Sequence, residues 1–274
     1  MFKSVLDNVQ TRSPLVHAIT NYVTVNDCAN TILASGGSPI MADDIAEVGA
    51  ITAICSALVI NMGTLNARTI ESMLAAGKKA NALARPVVFD PVGAGASPLR
   101  NDTAITLLKE VQFSVLRGNI SEMKFLATGI GNTQGVDAAV ADAVTEDNLA
   151  SVIALAQGLA DRVGAVVAVT GAIDVVSDGQ ETYTIKNGHP MLSRITGSGC
   201  MLSSLAGCFC GANPEQILRA TATAVVVLGL CGELAYQKLC EIDGGVNTYR
   251  SLLIDYLGKM DLKTLTAGAK IERV

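Results

Sequence analysis

The sequence predicts an α/β domain in which a mostly parallel sheet is covered by helices on both faces. Three observations lead there. Short runs such as Ala57-Leu58-Val59-Ile60, Pro86-Val87-Val88-Phe89 and Ala165-Val166-Val167-Ala168-Val169 are apolar at every position, as strands buried on both faces require. These runs alternate with longer segments whose apolar residues recur at helical spacing, the order of a βαβ chain. Half of the 274 residues are hydrophobic, 16% are charged and 26 are glycine, which suits tight helix–sheet contacts. No linker, low-complexity tract or internal repeat divides the chain, so residues 1–274 read as one domain.

Taken in order, residues 1–16 begin as a short amphipathic helix stopped by Ser13-Pro14, and Leu15 to Val23 starts as a strand and turns polar. Asn26-Asp27 is suited to cap a helix over Cys28 to Ser35, which Gly36-Gly37 ends, and Ser38 to Met41 is a short extended piece. Residues 45–55 form a helix before the strand Ala57 to Asn61, and 66–84 form a strong helix with Ile70, Met73, Leu74 and Ala80 on its apolar positions. Strand Pro86 to Asp90 exits through Pro91-Val92-Gly93-Ala94-Gly95, and a helix at 101–110 leads to strand Phe113 to Leu116. Ser121 is a candidate cap for a helix through Ala127, and the helix at 146–162 sets Leu149, Val152, Ile153, Ala156 and Leu159 on one face. After strand Ala165 to Val169, Asp178-Gly179 marks a hairpin between 173–178 and 181–186. Ile195-Thr196-Gly197-Ser198-Gly199-Cys200 is a tight turn feeding a helix over Met201 to Cys210, followed by helical segments at 214–240 and 245–258.

Composition narrows the partners. A net charge of −5 without a basic run, no tryptophan and few aromatic residues argue against nucleic acid. The longest uncharged stretch, Ile195 to Pro214, holds four glycines and an Asn-Pro and does not read as a membrane span. The amino terminus lacks the apolar core of a signal peptide. Seven cysteines without a C-x-x-C argue against a disulfide framework or zinc site and for a reducing, cytoplasmic setting, with most of the thiols in the core. Cys208 and Cys210 are read that way, and His17 and His189 as structural histidines.

In open parallel sheets, ligands bind beyond the carboxyl ends of the strands. Four exits carry polar chemistry: Asp90; Arg117 and Asn119 with Glu122 in the next helical turn; Thr170-Gly171; and Gly197 to Cys200. At the last, the free N–H groups of a helix amino terminus can converge on an anion, and the helix dipole favours a Cys200 thiolate. Taken singly, Glu122 reads as a capping carboxylate, Arg117 as a solvated charge and Asp90 equally as a turn residue. Together, a cation, two carboxylates, a hydroxyl and an anion nest suit phosphoryl transfer, in which catalysis is mainly positioning and charge neutralisation. Asp90 and Glu122 are the candidate Mg²⁺ ligands, directly or through water. The P-loop and protein-kinase motifs and the G-x-S-x-G elbow are absent.

Pro14-Leu15-Val16-His17-Ala18-Ile19-Thr20-Asn21-Tyr22-Val23-Thr24-Val25-Asn26, Ala29-Asn30 and Gly36-Gly37-Ser38-Pro39-Ile40-Met41 resemble the amino-terminal signature of the hydroxyethylthiazole kinases. Asp90 to Gly95, Arg117 to Glu122, Val169-Thr170-Gly171 and Gly197 to Cys200 resemble that family's later motifs, in order, and are shared more widely among ribokinase-like kinases. In the wider group the nest typically ends in Asp, so Cys200 itself points to the thiazole kinases. The resemblance implies a three-layer α/β/α ribokinase-like fold with a mostly parallel central sheet. It also implies ATP and Mg²⁺ as co-substrate and cofactor, and phosphorylation of 4-methyl-5-(2-hydroxyethyl)thiazole in thiamine biosynthesis or salvage. A homotrimer with active sites at subunit interfaces follows from it too. By position it sets Asn21 and Met41 in the thiazole pocket and Gly197 near the substrate hydroxyl. Arg117, Thr170, Asn119 and Gly199 fall on the ATP side, Asp90 and Glu122 on the metal, and Cys200 at the reacting alcohol. The alternatives are another vitamin kinase of the superfamily, acting on hydroxymethylpyrimidine or pyridoxal, and an ATP- or ADP-dependent NAD(P)H-hydrate dehydratase. Cys200, where Asp would be expected, argues against the first, and the Asn21–Met41 block against the second.

Overall fold

A computed structural model of the chain describes residues 2–129 and 144–274. These residues form a nine-stranded sheet in the order β2-β1-β3-β4-β5-β6-β7-β8-β9. The parallel part comprises β1 (Leu15–Ile19), β2 (Ser38–Ile40), β3 (Ala57–Asn61), β4 (Val87–Asp90), β5 (Val115–Asn119) and β6 (Val166–Thr170). Beyond it, β7 (Asp174–Ser177), β8 (Thr182–Ile185) and β9 (Ile271–Arg273) pair antiparallel. The order reverses between β1 and β3, which opens a crevice at the carboxyl ends of those two strands.

Strand alternation splits the core into two. Val16, Ala18, Val59, Val88, Val115 and Ala168 pack with α1 (Phe2–Arg12), α2 (Val25–Ala34), α8 (Ser198–Ala212), α9 (Ile217–Glu241), α10 (Val246–Gly258) and α11 (Leu262–Gly268). Leu58, Ile60, Phe89, Leu116, Val167 and Val169 face the other way. They meet α3 (Val48–Ile54), α4 (Ala67–Ala82), α5 (Pro98–Glu110), α6 (Ile120–Thr128) and α7 (Leu149–Val163). The three layers agree with the expectation. The helix α9 is long and apolar enough to cross a membrane, yet 78% of its apolar window is buried inside the protein, which makes it a core helix.

Several local expectations change. The helix after β1 starts at Val25 with Thr24 at its N-cap, and no side chain caps it, so Asn26 and Asp27 lie within its first turn. Asn119, not Ser121, caps α6. Strand β5 begins at Val115 and extends to Asn119, because its pairing with β6 continues as far as Thr170. A 3₁₀ turn at Pro190–Arg194, the short α11 and the edge strand β9 have no counterpart in the sequence reading. The hairpin at Asp178-Gly179 forms as expected, with Gly179 at φ +93° and Asp178 Oδ1 accepting from the N–H groups of Gln180 and Glu181. His17 is buried with its ring nitrogens 2.9 Å from Thr52 Oγ1 and 2.8 Å from Ala42 O. His189 Nδ1 accepts from Met191 N and its ring stacks on Tyr236. Cys208 and Cys210 are buried in the core.

The close approach of α8 to the sheet positions the site. A Cβ on Gly207 would lie 2.3 Å from Val59 Cγ2, and Val59 is β-branched and buried. Gly207→Ala is expected to destabilise the fold by about 1–2 kcal/mol. Overpacking costs about 1–3 kcal/mol and the better helix propensity of alanine returns up to about 1. Urea unfolding checks this; an unchanged or raised midpoint would contradict the contact.

Candidate active site

Strand β4 delivers Asp90 to the rim with its carboxylate entirely buried. Its Oδ2 accepts from Asn61 Nδ2 at 2.8 Å and Ser203 Oγ at 2.7 Å, and Arg117 Nη1 lies 3.6 Å away. Oδ1 is buried without a partner among the described residues, as is Arg117 Nε. Desolvation raises the pKa of Asp90, and the Arg117 guanidinium is the largest influence against it. Arg117 Nη2 donates to Thr170 Oγ1 at 2.7 Å, and Thr170 Oγ1 donates to Gly118 O. The parallel register of β5 and β6, which sets Asn119 beside Thr170, brings these two exits together.

Asn119 and Glu122 form a reciprocal capping box at the start of α6. Glu122 N donates to Asn119 Oδ1 and Asn119 N to Glu122 Oε2, at 2.9 and 2.8 Å. Glu122 Oε1 accepts from Gly93 N at 2.8 Å, which anchors the loop after β4. Both oxygens are therefore engaged, and burial, then the Asp90 charge, raises this carboxyl to about 7. Arg100 ties the same region together by donating to the carbonyls of Met62, Gly63 and Val92.

At the fourth exit, Gly197 is the N-cap of α8 in the left-handed region, at φ +82°. A Cβ there would also lie 2.2 Å from Thr24 Cγ2, so glycine is required twice over. Met201 N closes the first helical bond to Gly197 O, leaving the N–H groups of Ser198, Gly199 and Cys200 without intrahelical acceptors. Gly199 lies directly against the Arg117 guanidinium: a Cβ would be 2.5 Å from Nη1. One turn on, Ser203 reaches Asp90.

The thiol of Cys200 departs from expectation. Burial, then the Asp90 charge, pushes it up to about 12. A helix amino terminus contributes about 0.3–1 kcal/mol, less than one pKa unit, so desolvation wins and the group is a neutral thiol. Its Sγ accepts from Asn21 Nδ2 at 3.3 Å, and Asn21 Nδ2 also donates to Asn61 Oδ1 at 3.0 Å. Met41 lines a neighbouring cavity of about 120 Å³ with Thr20, Tyr22, Thr64 and Arg68, beyond the ends of β1 and β3.

Contacts thus join Asn21, Asp90, Arg117, Thr170, Gly199 and Cys200, with Asn119 and Glu122 attached through the Gly93 loop. Met41 sits in the adjoining cavity and Gly197 on Thr24. Sequence reasoning missed Asn61 and Ser203. Asn61 carried one signal, a polar residue closing a buried strand, whereas Ser203 carried none. Among the described residues, no three His, Cys, Asp or Glu side chains are grouped to hold a metal. The unsatisfied Asp90 Oδ1 nevertheless fits a cation that draws its remaining ligands from water and phosphate.

Known proteins resemble the chain over nearly its whole length. The model of the "Hydroxyethylthiazole kinase family" matches residues 6–263. Hydroxyethylthiazole kinase of Clostridium acetobutylicum is 54% identical, covering 99% of each chain. That of Desulfovibrio desulfuricans is 50% identical over 100% of this chain and 99% of its own. The solved hydroxyethylthiazole kinase of Pyrococcus horikoshii superposes with a TM-score of 0.88 at 35% identity, over 98% of this chain and 97% of that one. Pyridoxal kinase from Staphylococcus aureus shares the fold at a TM-score of 0.58 and 16% identity, over 79% and 86%. The chain belongs to the hydroxyethylthiazole kinase family, within the ribokinase-like fold.

Proposed function

We propose that the protein transfers the γ-phosphoryl group of ATP to the primary alcohol of 4-methyl-5-(2-hydroxyethyl)thiazole, in thiamine biosynthesis or salvage in the cytoplasm. The observation that carries this reading is the buried Asp90 carboxylate, paired with the partly exposed Arg117 guanidinium and packed against the open amino end of α8, in a member of this family. Fixed N–H donors and the Arg117 guanidinium suit charge that develops on a transferring phosphoryl group.

The acceptor alcohol lies at Gly197 and Cys200, and the thiazole extends between Asn21 and Met41. Arg117, Thr170, Asn119 and Gly199 hold the nucleotide phosphates. Asp90 would hold Mg²⁺ through Oδ1, and Glu122, with both oxygens engaged, would reach it through water. When bound, the ion neutralises charge on the phosphate oxygens. In the transfer, a bond forms between the alcohol oxygen and the γ-phosphorus as the bond to the bridging oxygen breaks and that oxygen leaves with ADP, and the alcohol proton passes to an oxygen of the transferred phosphoryl group. A neutral Cys200 orients the hydroxyl through its hydrogen bonds, and a largely dissociative transition state needs no strong base. The homotrimer belongs to the same proposal. Tyr22, Val23 and Ile45 are exposed on the segments that follow β1 and β2, beside the thiazole cavity.

Hydroxyethylthiazole-dependent ADP release, measured beside pyridoxal, hydroxymethylpyrimidine and hydrated NADH, tests the function. The thiazole alcohol should be the preferred substrate, and preference for any other compound would overturn the reading. Light-scattering fractions should confine activity to the trimer; an active monomer would contradict the interface site.

The state of the thiol is tested separately. Iodoacetamide labelling of Cys200 in the free enzyme should be slow at pH 7 and rise about tenfold per pH unit through pH 9 without a plateau, because the thiolate is the reactive form. A plateau with a midpoint near pH 7 would mean that the helix terminus outweighs burial.

A further inference from the structure

Asn61 closes β3 at the point where the strand order reverses, and its side chain is 1% exposed. Its amide is held on every side. Oδ1 accepts from Asn21 Nδ2 at 3.0 Å and from Gly63 N at 2.8 Å, while Nδ2 donates to Asp90 Oδ2 at 2.8 Å. The reverse orientation would set an oxygen against the carboxylate and an NH₂ group against two donors, so one orientation alone is compatible with its neighbours.

Asn21 is fixed in the same sense. Its Oδ1 accepts from both Thr24 N and Thr24 Oγ1 at 3.1 Å, which turns Nδ2 toward Asn61 and Cys200. The result is a head-to-tail chain, Thr24 to Asn21 to Asn61 to Asp90, in which each group donates to the next and the last acceptor is a carboxylate. Such a chain is mutually polarised in a buried setting. It crosses the crevice between β1 and β3, and the close approach depends on Gly63, where a Cβ would lie 2.6 Å from Asn21 Cβ.

We propose that Asn61 is a positioning residue for phosphoryl transfer, locking the Asn21 amide against the Cys200 thiol in register with the Asp90 carboxylate. The proposal rests on the reading that Cys200 faces the acceptor alcohol. Asn61 touches neither substrate; it sets the distance between the alcohol end and the phosphate end of the site. Misplacement of reacting groups by about 1 Å costs on the order of 10²-fold in rate.

A double-mutant cycle tests this. Asn61→Ala should lower kcat by about 10²-fold, with the KM for ATP unchanged within about twofold. Added to Cys200→Ala its effect should shrink well below that of the single change, because the part that reaches the thiol, through Asn21 and directly, is already lost and only the donor to Asp90 remains to be removed. Independent, multiplicative effects of the two changes would overturn the proposal, as would an Asn61→Ala enzyme with wild-type kcat. If Asn61→Ala fails to give a cooperative thermal transition, Thr24→Val carries the same cycle. It keeps the methyl against Gly197 and removes the hydroxyl, which donates to Asn21 and otherwise meets only the buried Cys28 Sγ, at 3.7 Å. A loss of kcat that vanishes in the Cys200→Ala background supports the chain, and a loss that persists, or none, refutes it. Wild-type enzyme without thiazole phosphorylation would sink the functional reading as well, whereas active wild type with independent effects sinks this proposal alone.

Discussion

The buried Asp90 carboxylate is the constraint on which the rest of the site depends. Taking a carboxylate out of water costs several kcal/mol unless donors replace the lost solvent. Here Asn61 comes from the end of β3, Arg117 from β5 and Ser203 from the first turns of α8. Each must be held at its distance for Asp90 to be tolerated, so the carboxylate dictates the registers of three elements that are far apart in sequence. Gly199 and Gly207 then become packing requirements. One lets α8 lie on the Arg117 guanidinium, and the other lets the same helix settle on β3.

The charge balance of the site follows from the same burial. Asp90, Glu122 and Cys200 are all shifted toward their neutral forms, with desolvation the largest cause in each. Asp90, Glu122 and, further off, Asp174 feel the partly exposed Arg117 guanidinium, three helix N–H groups are open beside it, and Asp90 Oδ1 remains unsatisfied. Around a carboxylate buried in this way, fixed dipoles are worth more than they are in water. It also explains why the thiol is better suited to orienting a hydroxyl than to removing its proton.

Much of the architecture was legible because buried parallel strands are written as uninterrupted apolar runs. Strand β3 was read to the residue, and β4 and β6 to within one residue at each end. Reading polar residues at strand exits found Asp90, Arg117 and Thr170, since topology alone aligns those ends. Asn61 ends such a strand too, but its partners lie 40 residues before and 29 after it in sequence, and no periodicity predicts that. Ser203 looked like any helical serine. Asn119-x-x-Glu122 carried a capping-box pattern, yet ending the preceding strand at Leu116 drew the cap to Ser121. The Cys200 shift was misjudged because helix position is local whereas burial is tertiary. The short α11 and β9 are partly exposed and gain their order from docking on α1, α9 and β8.

The central claim is that the Asp90 charge, and not merely its shape, serves phosphoryl transfer. Asp90→Asn keeps the volume and leaves an oxygen able to accept from Asn61 and Ser203. Steady-state turnover of this variant with ATP, Mg²⁺ and hydroxyethylthiazole, alongside its thermal transition, is the most direct measurement. The account predicts a folded protein whose kcat falls by about 10²–10³-fold or more, the range expected when an electrostatic element of the transition state is removed. A folded variant turning over at the wild-type rate would contradict it.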